Sequence, residues 1–526
     1  MRRYSNLFTS NLSVSKTPGL LVSLLLLLTA LPSFAAEVSV EYEIIARSGE
    51  TAIPNGVGTF SGFNPFPAID DSGNVMFGAL GGQSQVGIYT AIGVCCQKVI
   101  DRNTLLPGGQ GDTFSLFGGS DQNDIDEGRV AFRASGQVSG EALYSNVGQS
   151  SPSELVKVAA IDGIDWSAGG EPWIDGDTVA MWGEHQPLDE YTILYWDGSM
   201  SLEDPGAGYA MQYGTQASIS GDASIFQRYD TSTFNTELVI ATSSGYEILV
   251  EKNVTPMPGD EAKTFLVLPQ WPVIDQGGQD AAFVGVGSLA RGVYKRVNGG
   301  PLQRVADKSM VVPGSGGQIF TTMKSGQLAL ANGQVVFVGE GSNLVSGIYT
   351  DVGGQLSVVI DDQANNSIVM NGKTEEVTAI RLSTKSFAYT PQGYMVVFLA
   401  YLKTGGSAVV RATIGDAPGG GTDSFTVYKN FSDNNSASVS ISLSCSSGTV
   451  TNSPQWASET TPAVFDIEGA ASRATCTATE NSVPSGYTAN ESECRNVPLL
   501  AEGGCEIFNT IVAPSIDVLF EGGFEG

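Results

Sequence analysis

Ile125-Asp126-Glu127-Gly128-Arg129-Val130-Ala131-Phe132 reads as a tight turn opening a strand. Asp suits such a turn because its carboxylate accepts local backbone hydrogen bonds, and Gly because it takes positive φ. The residues that follow are small or β-branched and end on a large ring, which is strand composition. The pattern recurs at residues 69–77, 174–181, 219–226, 274–283, 330–337 and 390–398. The large terminal residues, Phe77, Phe132, Met181, Phe226, Phe283, Phe337 and Phe398, lie 45 to 61 positions apart. A second landmark follows 11 to 14 positions later, as in Gly87-Ile88-Tyr89, Ala142-Leu143-Tyr144, Gly292-Val293-Tyr294 and Gly347-Ile348-Tyr349. A third, a short apolar run ending in a carboxylate, closes most copies: Asp101, Asp204, Glu251, Asp307 and Asp361 stand there.

Each copy therefore holds about four short strands at hairpin spacing, the signature of a β-propeller blade. Seven copies predict a seven-bladed β-propeller over residues 36–417. An open solenoid is the structural alternative. The seventh copy lacks a fourth strand, and Val40-Glu41-Tyr42-Glu43-Ile44-Ile45-Ala46-Arg47 has the sequence to supply it. Closure by that N-terminal strand would remove two open sheet edges.

Composition narrows the function. The chain has 526 residues, 65 of them Gly, and a formal net charge of −29. That balance argues against nucleic-acid binding and against docking on anionic lipid. His185 is the single histidine, so multi-histidine metal sites are excluded. Met1-Arg2-Arg3, an apolar run at 20–31 and Ser33-Phe34-Ala35 predict a signal peptide over 1–35. No later segment is long and apolar enough to span a bilayer as a helix. The expected location is outside the cell, secreted or at its surface, where disulfides persist. Cys445, Cys476, Cys494 and Cys505 admit three pairings, of which we favour Cys445–Cys476 with Cys494–Cys505. Adjacent Cys95 and Cys96 are expected to be buried thiols.

The repeats resemble those of bacterial exported proteins with tandem N-x-x-G-x-x-A-F repeats. Residues 125–132 and 277–283 match best, with Asp replacing the leading Asn in most copies. The motif is structural and implies no activity.

Past Pro418-Gly419-Gly420-Gly421-Thr422, read as a linker, the pattern stops. Val439, Ile441, Leu443 and Cys445 alternate with Ser, and several such runs predict a β-sandwich over 423–512. This stretch resembles the prealbumin-like domains of bacterial surface proteins, related to the repeats of Gram-positive pilins and collagen adhesins. The matching residues are Lys429, Glu480 followed by Pro484-Ser485-Gly486-Tyr487, and Asn509. The resemblance implies an isopeptide bond between Lys429 and Asn509, assisted by Glu480. The four cysteines depart from the pilin pattern. Residues 513–526 form an acidic aromatic tail.

The five strand-end carboxylates should emerge on one face, where binding loops gather. They are solvated acids, calcium ligands or a glycosidase pair. Asp121-Gln122-Asn123-Asp124-Ile125-Asp126 approaches a calcium loop, but Ile125 breaks the ligand spacing. Glu184-His185 is expected in a surface loop. Trp166, Trp173, Trp182 and Trp196 offer either core packing or a sugar-stacking platform. The function read from the sequence is a binding or adhesion protein that presents a propeller face to an extracellular carbohydrate or protein. The alternative is a polysaccharide-active hydrolase or lyase.

Overall fold

The computed structural model describes residues 38–512, apart from 83–84, 118–122, 150–153, 162, 214–215, 289, 344, 364, 371–372, 416–421, 446–448, 469–474, 496 and 500–502. The expected signal peptide, most of the linker and the acidic tail lie outside the described residues. Among the described residues there is no α-helix, only strands and three short 3-10 turns. Among those residues, then, no helix is long and apolar enough to cross a membrane.

Seven antiparallel sheets follow one another over residues 39–415. The fourth shows the plan. Tyr209–Met211 and Ser218–Ser220 together make its first strand, then come Ala223–Asp230, Thr236–Thr242 and Gly245–Glu251 in spatial order. The turn quoted at the outset joins the broken first strand to the second. In the seventh sheet the outer strand comes from the other end of the chain. Ser39–Arg47 pairs antiparallel with Ser407–Gly415, in register from Ser39 opposite Gly415 to Arg47 opposite Ala408.

The second strands are apolar without alternation because both of their faces are buried. Val396, Val397, Phe398, Leu399 and Ala400 are all fully buried. Val396, Phe398 and Ala400 point into a core shared with Val336, Val338 and Ile348 of the sixth sheet. Val397 and Leu399 point into a core shared with Val75, Phe77 and Tyr89 of the first. Five further cores join first to second, second to third, and so on to sixth. Every sheet thus packs against two neighbours, and the seventh packs against the first.

A three-ring cluster recurs inside the sheets. Phe60, Phe77 and Tyr89 form one, and Phe114, Phe132 and Tyr144 a second. Phe265, Phe283 and Tyr294, then Phe320, Phe337 and Tyr349, form two more. In each, the first Phe meets the Tyr nearly edge-on, at 4.8 to 5.1 Å between ring centres. Each ring pair adds about 0.5–1.5 kcal/mol beyond its area burial.

The expectation of buried thiols at Cys95 and Cys96 is corrected: the two are half-buried and joined as a disulfide in the strand Val94–Asp101.

Residues 422–511 build two more sheets around one core. Thr422–Phe431 runs parallel to Gly503–Ile511 in one sheet, and Val439–Cys445 pairs with Thr475–Glu480 in the other. The strand alternation is visible in Val439, Ile441 and Leu443, which are buried while the serines between them are not. Disulfides join Cys445 to Cys476 and Cys494 to Cys505.

Candidate functional site

Lys429 lies opposite Ile507 in the parallel pair, and Asn509 is two residues further along the same strand. Paired residues in a sheet share a face, as do residues two apart. Lys429 and Asn509 therefore project to one side, and that side is the core. Their relative exposures are 3% and 0%. Glu480 ends a strand of the facing sheet and is 6% exposed. The Lys429 and Glu480 side chains are fully excluded from solvent, with Nζ 3.8 Å from Oε2. That separation is too long for a hydrogen bond. The amine instead donates to the carbonyls of Asn430 and Ile507, at 3.0 and 3.2 Å. It also stands over the Phe431 ring, 4.2 Å from its centre.

Asn509 Nδ2 donates to Glu480 Oε1 at 3.1 Å. Glu480 Oε2 and Asn509 Oδ1 are buried with no hydrogen-bond partner. Unsatisfied buried polar atoms are uncommon in folded proteins and often mark chemistry. Burial lowers the affinity of the Lys429 amine for its proton and raises that of the Glu480 carboxylate. Burial thus favours a neutral amine beside a neutral acid, the protonation state that amide exchange requires.

The surrounding chain fixes these groups. Gly486, at φ +89°, turns the Pro-Ser-Gly-Tyr segment so that the Tyr487 N–H reaches the Pro484 carbonyl at 3.2 Å. The Tyr487 ring then packs edge-on against Phe431, and its hydroxyl donates to Asp433 at 2.7 Å. The Glu480 N–H donates to Glu491 Oε1 at 2.8 Å. The Cys445–Cys476 disulfide ties down the strand carrying Glu480, and Cys494–Cys505 the strand carrying Asn509. Neither touches Thr422–Phe431, which carries Lys429.

Four of the strand-end acids are used by the loops that follow them, and the fifth by a neighbouring loop of its sheet. Asp101, Asp204, Asp307 and Asp361 each accept the backbone N–H two residues on, from Asn103, Gly206, Ser309 and Gln363 at 2.8 to 3.0 Å. Glu251 accepts from the Asn235 amide at 2.5 Å. Among these contacts none joins one of the five to another. Among the described residues no group of three or more His, Cys, Asp or Glu is placed to hold a metal ion. Asp121 and Gln122 of the segment that approaches a calcium loop lie outside the described residues.

His185 is corrected from a loop to the last residue of the strand Thr178–His185. It lies opposite Trp166, with ring centres 5.0 Å apart. Trp166 and Trp182 are buried in separate cores, which favours packing over a shared platform.

Two arrangements had no sequence signal. The turn acids reach the next sheet: Asp70 Oδ2 accepts from the Gly128 N–H at 3.1 Å and Asp126 Oδ2 from Gly176 at 2.5 Å. Asp175 accepts from Gly221, and Asp275 from Asn332 at 2.6 Å. Asp70 also makes the local turn bonds expected of it, to the Ser72 and Asn74 N–H groups. Second, Lys385 of the seventh sheet donates to the Pro172 carbonyl of the third and stands over Trp173, 5.2 Å from the ring centre. Burial pushes nearby Asp124 up to about 7, against the pull of the Lys385 charge.

Comparison with protein-family models finds no match, and comparison with curated proteins finds none. Among solved structures, the chain is similar to a prolyl endopeptidase at 11% identity and a TM-score of 0.37, over 72% of this chain and 47% of that one. It thus spans about half of the endopeptidase. It is also similar to the BP39L lectin from Burkholderia pseudomallei, at 10% identity and a TM-score of 0.36, over 68% and 96%. A third likeness is to the β-propeller domain of the Trilobed protease from Pyrococcus furiosus, at 8% identity and a TM-score of 0.27, over 57% and 97%.

Proposed function

We propose that the chain is a secreted or cell-surface binding protein whose C-terminal module staples itself through a Lys429–Asn509 isopeptide bond. Residues 36–417 are read as tandem repeats forming a seven-bladed β-propeller closed by Ser39–Arg47. The cyclic succession of cores supports that reading. Residues 423–512 are read as a prealbumin-like β-sandwich that spaces the propeller from its attachment.

The observation that carries the proposal is the burial of amine, acid and amide together, with two of their oxygens unsatisfied. The neutral Lys429 Nζ attacks Asn509 Cγ. Glu480 takes a proton from the attacking nitrogen and returns one to Nδ2, which it already contacts. The Nζ–Cγ bond forms, the Cγ–Nδ2 bond breaks and one ammonia leaves, with no oxidant or cofactor. The product ties the one strand of the set that the disulfides leave free to the last strand of the module. Such a link suits a spacer that carries load between its two ends.

The hydrolase reading requires two converging carboxylates. The strand-end acids, four engaged by the loops that follow them and Glu251 by Asn235, give it no support.

Intact mass of the purified, reduced chain tests the staple. The expected result is a deficit of one ammonia that Glu480→Gln abolishes, together with a branched peptide joining Lys429 to residue 509 after digestion. A full sequence mass, with Lys429 reactive toward amine reagents after denaturation, would sink it.

A further inference from the structure

A cavity of about 440 Å³ opens between the fourth and fifth sheets. Arg291 and Lys252 are in its wall, and no Asp or Glu is. In a chain with 55 acids against 26 bases, that inversion is notable. Among the described residues many cations are held by carboxylates, among them Arg47, Arg228, Lys295 and Arg411. Arg291 is half-buried, makes no ion pair among the described residues, and its Nε is buried without a partner. A half-buried guanidinium whose Nε is shut off from water with no partner and no counter-charge is left under-satisfied, and an anion in the cavity would complete it. Burial alone depresses its basicity, with no acid offsetting the effect.

The rest of the wall says which anion. Gln212, Gln270 and Ser325 bring groups that both donate and accept, as sugar hydroxyls require. Tyr213 stands 67% exposed at this wall. Its ring is steadied by Tyr191 and Trp182 of the third sheet, at 5.2 and 6.0 Å between centres. Trp182 and Tyr191 themselves stack in parallel planes at 5.3 Å. An exposed, braced aromatic face is suited to the apolar face of a pyranose. A peptide carboxylate would want an open strand edge beside the cation. Arg291–Arg296 has none, being paired on both sides by Asp280–Gly287 and Gln303–Asp307. The cavity lies at the edge of the sheets carrying the loops after the second and fourth strands, the edge from which strand-end Glu251 also leads.

We propose that this cavity binds a carboxylated saccharide, a hexuronate unit of an extracellular glycan. Arg291 and Lys252 meet the carboxylate, and Tyr213 lies under the ring. The proposal rests on the binding reading above and gives it a ligand class.

The test is calorimetric titration of the full chain with oligogalacturonate and with a neutral galactan oligomer of equal length, alongside a broad glycan array. Expected are preference for the uronate, a loss of about 10- to 100-fold in affinity with Arg291→Gln, and a smaller loss with Lys252→Gln. Tyr213→Ala, at an exposed position, should weaken binding without moving the melting temperature. If Arg291→Gln fails to fold, Lys252→Gln and Tyr213→Ala decide. Equal binding of the neutral oligomer, or uronate binding indifferent to these substitutions, overturns the ligand class and leaves the binding reading standing. Silence across the whole array overturns both.

Discussion

Asp126 accepts a hydrogen bond from the backbone N–H of Gly176 at 2.5 Å, across the boundary between the second and third sheets. The same relation links Asp70 to Gly128 and Asp175 to Gly221. The turn acid is therefore a clamp between sheets as well as a turn former. Asp126→Ala should cost about 1–3 kcal/mol by orphaning the Gly176 N–H. Asp126→Asn, which keeps an acceptor, should cost less. Urea denaturation of the two variants checks the difference. Equal losses would mean that the interaction is not the clamp described.

Crowding of these acids has a pH consequence. Asp71 is exposed at its turn, yet desolvation by the surrounding chain first, then the charges of Asp275, Asp126, Asp70 and Asp175, push it up to about 6. Burial first, opposed by the Gly176 N–H and reinforced by Asp175 and Asp70, pushes Asp126 to about 6. A carboxyl with a raised folded-state pKa binds more protons folded than unfolded between about pH 4 and 6. Its stabilising contribution is complete below the unfolded value and is lost as pH rises through 6. Asp112 and Asp230 act oppositely, held near 2 by the Ser139 N–H and the Ser232 hydroxyl respectively, but only below about pH 4. The melting temperature should therefore be higher at pH 5 than at pH 7.5, by about 2–4 °C. Asp71→Asn with Asp126→Asn should flatten that slope. A scan rising steadily from pH 5 to 7.5 would contradict it.

The turn motif was legible because its chemistry is local: Asp, Gly and a large ring within ten positions define a hairpin whatever lies beyond. The partner of that Asp was not, since nothing near Asp126 points to a glycine 50 residues on. The first Phe of each ring cluster was also missed. Phe60 sits in a first strand interrupted by Asn64-Pro65-Phe66-Pro67, which breaks the alternation that would have marked it. Lys429, Glu480 and Asn509 were found by resemblance, not by spacing, because 80 residues separate the ends of the set. The cavity residues are scattered over several sheets, and their lack of acidic partners is a property of space alone.

Lys385 and Asp124 give a second pH-dependent prediction. Asp124 is buried, accepts the Ile174 N–H at 2.9 Å and is pushed to about 7. Above that value it is a buried anion, and the Lys385 charge is what offsets it. Lys385→Met should therefore lower stability more at pH 8 than at pH 5.5, where Asp124 is protonated and needs no cation. The lost bond to Pro172 is common to both conditions and cancels. Equal losses at the two pH values would show that the charge of Lys385 has no bearing on Asp124.

Closure by the N-terminal strand can be tested by deletion. Ser39–Arg47 supplies the outer edge of the seventh sheet, and Arg47 pairs with buried Glu375 at 2.8 Å. Tyr42 donates to the Val359 carbonyl of the sixth sheet at 2.5 Å. Removing 38–47 exposes the edge of Ser407–Gly415 and leaves Glu375 without its guanidinium. The melting temperature should fall by more than 10 °C, and the protein should associate through the open edge. Cooperative melting of a monomer at the parent temperature would refute the closure.

The last prediction separates the staple from the disulfides. A cross-link restricts the unfolded chain more as its loop lengthens. The disulfides span 31 and 11 residues, whereas a Lys429–Asn509 bond would span 80. By the chain-entropy estimate that longer loop is worth about 4.5 kcal/mol. In reducing denaturant the disulfides open but an amide does not. The reduced wild-type chain should thus migrate faster on a denaturing gel than reduced Glu480→Gln. Cys494→Ser with Cys505→Ser loosens the strand that presents Asn509, so its staple should form more slowly, giving a mixture of the two masses in freshly made protein. Cys95→Ser with Cys96→Ser, in the first sheet and outside the module, should form it fully. Identical migration of reduced wild type and Glu480→Gln would leave the disulfides as the only covalent ties in the module.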